Sequence, residues 1–316
     1  MINRHNKYIL LSLVLILNLL SASYVHSMSN NQFNTTMAEQ PKPRDEESEV
    51  LSPWLKRWNS KKIGFHKTGV NEFLLKYGHL IIPNFSQNEK DELCSSTETV
   101  TACNTNAENN IRIFVPLCGK SVDMAFLAKE EYVDRVIGIE GIRNAILEFI
   151  QEQPDLNIKE QHQSSDSSIS SQLFETFVGN KITLLKGDFF DVLQTTDISV
   201  DVIWDRASMV AIIPSLCEQY VKLLKHIIKP GGTILLCALD KRTGTKEGIQ
   251  SGPPFSLTEK DIRHYFNDKD WIESITILEE IDDFATRDNG GKEKFLKAGV
   301  TSMYEMIYEI KTKVNN

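Results

Sequence analysis

Short apolar runs alternate along the chain with longer stretches in which apolar residues recur every three or four positions. The short runs are rich in β-branched residues and are bounded by turn or polar residues, which is typical of strands. We predict strands at 111–116, 133–140, 181–185, 200–204, 233–239, 271–279 and 302–310, and helices at 120–129, 142–153 and 217–228. The alternation indicates an α/β fold with a seven-stranded, mostly parallel, doubly wound sheet.

Three polar segments lack this periodicity. Residues 28–50 carry a mixed charge run and too few apolar residues to order themselves, so we predict a disordered tail there. Residues 87–110 are rich in Ser, Thr, Asn and Glu, and residues 161–171 are rich in Ser and Gln, which predicts a surface insertion and a surface loop. We therefore expect a single folded domain over residues 51–316.

The amino-terminal residues 1–27 have the layout of a secretory signal peptide. Basic residues within positions 4–7 precede an apolar run at 9–17, and small residues follow at 21–23. The apolar run is shorter than the roughly 20 residues that a spanning helix needs, so a cleaved signal or a poor anchor fits better than a membrane span. An inactive upstream extension, with Met28 or Met37 as the working start, is the alternative.

Charge and cysteine content narrow the class of partner. The net charge of −8 and the pI near 5.5, without a basic patch, argue against nucleic acid as a substrate. The five cysteines form no CxxC pair and no histidines stand at metal-ligand spacing, so we expect neither a metal site nor a disulfide scaffold. No heptad run is present, and we expect a monomer that acts on a small molecule.

Candidate binding residues follow the predicted strands, because ligands of doubly wound sheets bind at the carboxyl ends of the strands. Leu117 and Gly119 follow the first strand in a tight turn that opens a helix. The single glycine lacks the second and third glycines of a dinucleotide fingerprint, which argues against a nicotinamide oxidoreductase. Glu140 ends the second strand, where an acid accepts hydrogen bonds from ribose hydroxyls, although a solvated carboxylate is the alternative.

Two further strand ends carry polar and aromatic residues together. Asp188 and Phe189 suit an adenine, as acceptor and stacking partner, but a core phenylalanine pair beside a capping aspartate explains them nearly as well. The fourth strand runs through Trp204 and Asp205 to Arg206, which predicts an aromatic, an acid and a guanidinium at the cleft. A structural ion pair between Asp205 and Arg206 is the alternative.

In combination, seven motifs make the chain resemble the thiopurine S-methyltransferase family. The resemblance covers about residues 54–309. The motifs, in chain order, are Trp54-Leu55-Lys56-Arg57-Trp58, Gly64-Phe65-His66, Phe114-Val115-Pro116-Leu117-Cys118-Gly119-Lys120, Gly138-Ile139-Glu140, Ile203-Trp204-Asp205-Arg206, Gly252-Pro253-Pro254-Phe255 and Asp283-Phe284-Ala285-Thr286-Arg287.

This resemblance implies a Rossmann-like class I methyltransferase fold, S-adenosyl-L-methionine as cofactor and a cytoplasmic enzyme. It implies that residues 54–65 close over the cofactor and that Phe65 and Arg287 bind substrate. Arg206 and Arg287 are the implied catalytic residues. The implied cofactor-binding residues are Trp54, Trp58, Phe65, Leu117, Gly119, Glu140, Asp188, Phe189 and Arg206.

The implied reaction transfers a methyl group to the sulfur of an aromatic or heterocyclic thiol. Because a sulfonium methyl is already activated, the enzyme mainly has to align a thiolate and exclude water. Arg206 and Arg287 are expected to favour the anionic thiol by their positive charge. Methyl transfer to small inorganic nucleophiles, such as halide, thiocyanate or hydrogen sulfide, and a non-catalytic cofactor-binding module are the alternatives. The signal-like residues 4–23 leave a secretory location open.

Overall fold

The computed structural model describes residues 51–85, 111–161, 172–286 and 289–314. Within these residues, nine strands form one sheet in the order β3-β4-β5-β2-β1-β6-β7-β9-β8. The strands are β1 Ile111–Val115, β2 Val133–Glu140, β3 Lys159–Gln161, β4 Glu175–Gly179, β5 Ile182–Lys186, β6 Val200–Arg206, β7 Ile228–Gly244, β8 Ile272–Asp282 and β9 Val300–Thr312. The α-helices are α1 Ser52–Asn59, α2 Glu72–Tyr77, α3 Val122–Leu127, α4 Arg143–Glu152, α5 Cys217–Ile227, α6 Lys246–Gln250, α7 Glu259–Tyr265, α8 Asp283–Thr286 and α9 Asn289–Lys297.

The middle of the sheet is parallel and doubly wound. Strands β5, β2, β1, β6 and β7 pair in parallel, whereas β3, β4, β8 and β9 join by antiparallel pairing. The chain crosses from β1 to one side of the sheet first and later adds β6 on the other side of β1. This change of direction opens a crevice at the carboxyl ends of β1 and β6, which is where such folds bind ligands.

Each face of the sheet is covered by helices. Met124 of α3 and Phe149 of α4 pack with Val202 and Trp204 on one face, whereas Tyr220 and Leu224 of α5 pack with other strand residues on the opposite face. The successive side chains of a strand point to opposite faces, so a strand covered on both sides is apolar throughout. This explains why the central strands read as continuous apolar runs.

The Rossmann-like fold is confirmed, but the predicted number of seven strands is wrong because the sheet has nine. The two strands that the pattern missed are β3 and β4 at one edge. All three residues of β3 are exposed, and only Phe177 of β4 is buried. Strands that bury so little are held by backbone hydrogen bonds to their neighbour, and backbone pairing leaves no apolar signal in the sequence.

Several predicted segments lie outside the described residues: the tail 28–50, the amino terminus 1–27, the insertion 87–110 and nearly all of the loop 161–171. Among the described residues, no helix is both long and apolar enough to cross a membrane.

Candidate active site

The turn after β1 lies at the carboxyl edge of the sheet and is bonded to β2. Leu117 and Gly119 have positive φ angles of 43° and 52°. The Cys118 amide donates a hydrogen bond to the carbonyl of Ile139 in β2, at 2.8 Å. A left-handed conformation costs a non-glycine residue about 1 kcal/mol, so Leu117 keeps it only because its surroundings impose it. Strained turns of this kind concentrate at ligand sites.

Glu140 lies at the carboxyl end of β2, beside that turn, and is buried. Its Oε2 accepts a hydrogen bond from the Gly119 amide at 2.9 Å, and its Oε1 accepts one from the Ile142 amide at 2.8 Å. These two bonds fix the plane of the carboxylate between the turn and the start of α4. The alternative of a solvated strand-end carboxylate does not fit this placement.

Aromatic side chains from the amino-terminal part of the domain cover the turn. Trp58 of α1 is buried, and its Cζ2 lies 3.2 Å from the position that a Cβ on Gly119 would take. The ring of Phe65 meets the rings of Trp54 and Trp58 edge-on, with centroids 5.6 and 5.9 Å apart. A side chain at Gly119 would therefore push against Trp58, in the aromatic cover formed by Trp54, Trp58 and Phe65.

The segment carrying this aromatic cover is fastened to α4. The Asn144 side-chain amide donates to Oδ1 of Asn59 at 2.9 Å. Glu148 of α4 forms ion pairs with Lys61 and with Lys120, the latter at 3.0 Å, and Lys120 also pairs with Glu152 at 2.6 Å. We call Lys61, Lys120, Glu148 and Glu152 the charged clasp. This clasp was not predicted from the sequence, although the spacing of four residues between Glu148 and Glu152 places both acids on one face of α4.

Arg206 connects the sheet to the aromatic cover. It is the last residue of β6, and its Nη1 donates a hydrogen bond to the carbonyl oxygen of Phe65 at 2.8 Å. Burial and the positive charges of Lys120 and Arg206 lower the pKa of His66 below 6.5, although Glu152 and Glu148 oppose them. His66 is therefore neutral near pH 7, and Arg206 supplies positive charge at this point of the crevice.

The prediction that Trp204 and Asp205 face the cleft with Arg206 is wrong. Trp204 is fully buried, and its Nε1 donates to Oδ2 of Asp123 at 2.9 Å. Asp205 is also fully buried, and its Oδ2 accepts from the Tyr220 hydroxyl at 2.6 Å. Both faces of β6 lie under helices, so only the last residue of the strand reaches past them. Asp205 binds this hydroxyl rather than forming the ion pair with Arg206 that was the alternative.

Asp188 and Phe189 show the contacts of the structural alternative. Asp188 Oδ1 accepts from the Phe190 amide at 2.9 Å and caps a 3-10 helix. Phe189 is buried and stacks on Tyr220, with ring centroids 5.0 Å apart. An adenine contact at these residues stays a prediction. Arg287, the second implied catalytic residue, lies outside the described residues.

The arrangement fits S-adenosylmethionine. A tight turn follows β1, and the buried carboxylate of Glu140, which the Gly119 amide holds, stands beside it in the place of a ribose-binding acid. Gly119 lacks a Cβ where Trp58 approaches it, so the turn and the aromatic cover close on each other at this point.

Proteins of one family align with this chain over most of its length. A family model for thiopurine S-methyltransferase matches residues 85–313. The thiopurine S-methyltransferases of Pseudomonas putida strains GB-1 and W619 are 31% and 32% identical, covering 82% and 81% of this chain and 97% of each relative. The enzyme of that name from Legionella pneumophila (strain Corby) is 34% identical, over 66% of this chain and 77% of its own.

Among solved structures, Burkholderia thailandensis 1,6-didemethyltoxoflavin-N1-methyltransferase covers 85% of this chain and 90% of its own, with a TM-score of 0.46 and 10% identity. The sequence relatives decide the assignment. The chain is an S-adenosylmethionine-dependent methyltransferase with a Rossmann-like fold, and it belongs to the thiopurine S-methyltransferase family.

Proposed function

We propose that the protein transfers a methyl group from S-adenosylmethionine to the sulfur of an aromatic or heterocyclic thiol. The observation that carries this proposal is the hydrogen bond from Arg206 to the carbonyl of Phe65. It places a guanidinium next to an aromatic cover at the carboxyl edge of the sheet. An aromatic anion is the kind of acceptor that such a pairing of charge and ring surface suits.

The chain's own residues have three tasks in this reaction. When bound, S-adenosylmethionine supplies a methyl group that is already activated on a sulfonium. Trp58 and Phe65 exclude water from the crevice and give the acceptor ring an apolar surface. Arg206 stabilises the thiolate, so the thiol proton passes to solvent before the new S–C bond forms and S-adenosylhomocysteine leaves.

We assign cofactor binding to both sides of the crevice. Leu117 and Gly119 would form the turn beside the cofactor, and Glu140 would accept hydrogen bonds from its ribose hydroxyls. The aromatic cover would close over the cofactor; it consists of Trp54, Trp58 and Phe65. Asp188 and Phe189 lie after β5, next to β2 in the sheet, on the side that an adenine would take. Arg287 is proposed as a second cation near the acceptor, together with Arg206.

The test is transfer of labelled methyl to a thiopurine by the wild type, Arg206→Ala and Arg206→Lys. Removing the cation should cost Arg206→Ala at least about tenfold in kcat/KM at pH 7, and less at pH 9.5, where the thiol ionises unaided. Arg206→Lys keeps the positive charge, so its kcat/KM should lie between that of the wild type and that of Arg206→Ala. A loss in Arg206→Ala that is equal at both pH values would show that the arginine acts only through its bond to Phe65.

The same assay separates the alternatives. Transfer to thiocyanate, iodide or hydrogen sulfide without transfer to aromatic thiols would identify an enzyme for small inorganic nucleophiles. Cofactor binding without any transfer would identify a non-catalytic binding module. The apolar aromatic cover favours an aromatic acceptor over a small hydrated anion.

We also propose a monomeric cytoplasmic enzyme that needs no metal, nucleic acid or macromolecular partner. Sedimentation of the full chain tests the monomer. Sequencing the amino terminus of the mature protein tests the location, because cleavage near residue 23 would place it in the secretory pathway instead.

A further inference from the structure

A buried lysine outside the residues considered so far lies on the strand next to β6, four residues beyond Cys237, the register partner of Arg206. Lys241 is near the carboxyl end of β7, the strand next to β6, and is only 3% exposed. Its ammonium donates to the carbonyl oxygen of Ser251 at 2.5 Å and contacts the Ser251 hydroxyl at 3.3 Å. Neither the carbonyl nor the hydroxyl of Ser251 carries a charge. Burial lowers the pKa of Lys241, as expected for an ammonium withdrawn from water.

Lys241 has no acidic partner within the part of the chain that the structure describes. The neighbouring Asp240 pairs with Nε of Arg242 at 2.8 Å, and the same guanidinium binds Glu280. A buried ammonium is costly unless it is paired, and hydrogen bonds to a single neutral serine compensate for it only in part. Residues kept in such a position are found at functional sites more often than elsewhere.

The lysine fastens a loop to the crevice. Its backbone amide donates to the Ser256 hydroxyl at 2.9 Å, while its ammonium holds Ser251, so one residue binds both ends of the segment Ser251–Ser256. Inside this segment the Phe255 amide donates to the carbonyl of Val210 at 2.6 Å. Val210 belongs to the turn that directly follows Arg206.

We propose that Lys241 is a positioning residue for the methyl acceptor. It holds the segment Ser251–Ser256 against the turn behind Arg206, and its uncompensated positive charge adds to that of Arg206 in favouring an anionic acceptor. The second half of this inference rests on the proposed thiol methylation. The first half concerns the loop alone and holds for any acceptor.

Two variants test this proposal. Lys241→Met removes the ammonium but has a side chain of similar length, and Lys241→Arg keeps the positive charge. Lys246→Met, on the exposed neighbouring helix α6, is the matched control. Hydrogen exchange of the Phe255 amide measures how firmly the segment Ser251–Ser256 is held, and it needs no substrate. We expect Lys241→Met to speed this exchange about tenfold or more, and Lys241→Arg and Lys246→Met to leave it near the wild-type rate.

Steady-state kinetics then test whether the positive charge of Lys241 favours the acceptor. In Lys241→Met the acceptor KM at pH 7 should rise about tenfold, with the cofactor Kd within about twofold of wild type, and Lys241→Arg should restore most of the loss. A rise in cofactor Kd equal to the rise in KM would mean a general structural defect and would overturn the proposal, as would unchanged exchange at Phe255. If the wild type methylates no thiol but the exchange result holds, the thiol proposal fails and the positioning role stands.

Discussion

Single residues at the ends of strands decide what faces the crevice, and Asp205 is the clearest case. Its carboxylate is buried beside Arg206, yet it binds the Tyr220 hydroxyl and accepts from the amides of Ser208 and Met209. Ser208 in turn donates to the carbonyl of Pro116, in the turn after β1. Asp205 therefore shapes the turn behind the proposed catalytic arginine and is fully buried there.

The pH dependence of stability tests this placement. Burial raises the pKa of Asp205 from 3.8 to about 6, against the hydrogen bonds from Tyr220 and the two amides. A raised folded pKa contributes stability that is fully present below the unfolded pKa and is lost as the pH rises through about 6. Asp205→Asn lacks this ionisation. The free energy of unfolding of Asp205→Asn, minus that of the wild type, should therefore be about 2 kcal/mol larger at pH 7.5 than at pH 4.

Urea unfolding of both proteins at the two pH values measures that difference. Asn keeps an acceptor for the two amides, so the variant should fold at both pH values. A difference between variant and wild type that does not change with pH would mean that Asp205 titrates as an ordinary exposed acid.

Gly119→Ala tests the closeness of the turn and the aromatic cover. An alanine there would hold a φ of 52° and bring Cβ to 3.2 Å from Cζ2 of Trp58. The backbone strain of about 1 kcal/mol should lower the free energy of unfolding, and the shifted Trp58 ring should weaken S-adenosylhomocysteine binding by roughly tenfold in calorimetry. Gly64→Ala is the control, because a Cβ at Gly64 meets nothing within 4 Å. Equal affinities for the two variants would contradict this account of the turn.

At this scale the sequence located Glu140, Gly119 and Arg206 from their positions at strand ends. It misplaced Trp204 and Asp205, because consecutive strand residues alternate between faces and the pattern does not show how far the covering helices extend. It also left Lys241 unremarked. A lysine in a polar stretch after a strand reads as exposed, and its burial comes from the loop that folds back on it.

Among the elements, the contact between α1 and α4 holds the segment that carries the aromatic cover. Leu51 packs against Gly141, where a Cβ would come within 2.8 Å of it, and the charged clasp holds the chain just after α1. Burial alone would raise the pKa of Glu148, but hydrogen bonds from Lys61 and Lys120 outweigh it and lower the pKa. The clasp is therefore intact at neutral pH and weakens as Glu148 becomes protonated in acid.

Glu148→Ala should loosen the segment that carries Trp54, Trp58 and Phe65. Lys61 loses its partner, and Lys120 keeps only Glu152. We expect trypsin to cut faster after Lys61 and Lys62 in the variant, and saturating S-adenosylhomocysteine to restore part of the protection by holding the aromatic cover closed. Glu273→Ala, an exposed acid on β8, is the control. Cleavage at the same rate in both variants would mean that the clasp does not hold the segment.

The predictability of each element follows from how much it buries. Strands β1, β2, β5 and β6 were placed to within two residues, since both of their faces are covered by helices. Strand β7 extends beyond the predicted 233–239 at both ends, and it begins at Ile228 because the Pro230-Gly231-Gly232 stretch, which is typical of a helix end, belongs to the strand, with an irregular register against β6. A helix stop and an irregular strand look the same in sequence.

For the whole molecule, the sequence predicted the fold class and the edge of the sheet that carries the site. The parallel order of the central strands follows from the alternation of strands and helices, and the site follows from the reversal of strand order beside β1. The closure of the aromatic cover over the sheet could not be read from strand patterns. It depends on contacts between positions far apart in the chain, such as Phe65 with Arg206, and was available only through family resemblance.

Shortened chains test whether the site needs that closure. A chain beginning at residue 47 keeps α1 and the charged clasp, whereas one beginning at residue 69 loses Trp54, Trp58 and Phe65 but keeps Asn71, whose amide binds the buried Asp123. S-adenosylhomocysteine at 100 times its Kd stabilises a protein by about 2.7 kcal/mol, and at about 2–4 °C per kcal/mol for a domain of this size this is a shift in Tm of about 5–11 °C. The full chain and the chain from residue 47 should show that shift equally. The chain from residue 69 should unfold cooperatively with a shift near zero, because the sheet and both of its helical layers remain while the cover is gone. A full shift in the chain from residue 69 would place the cofactor entirely on the strand ends and remove the aromatic cover from the site.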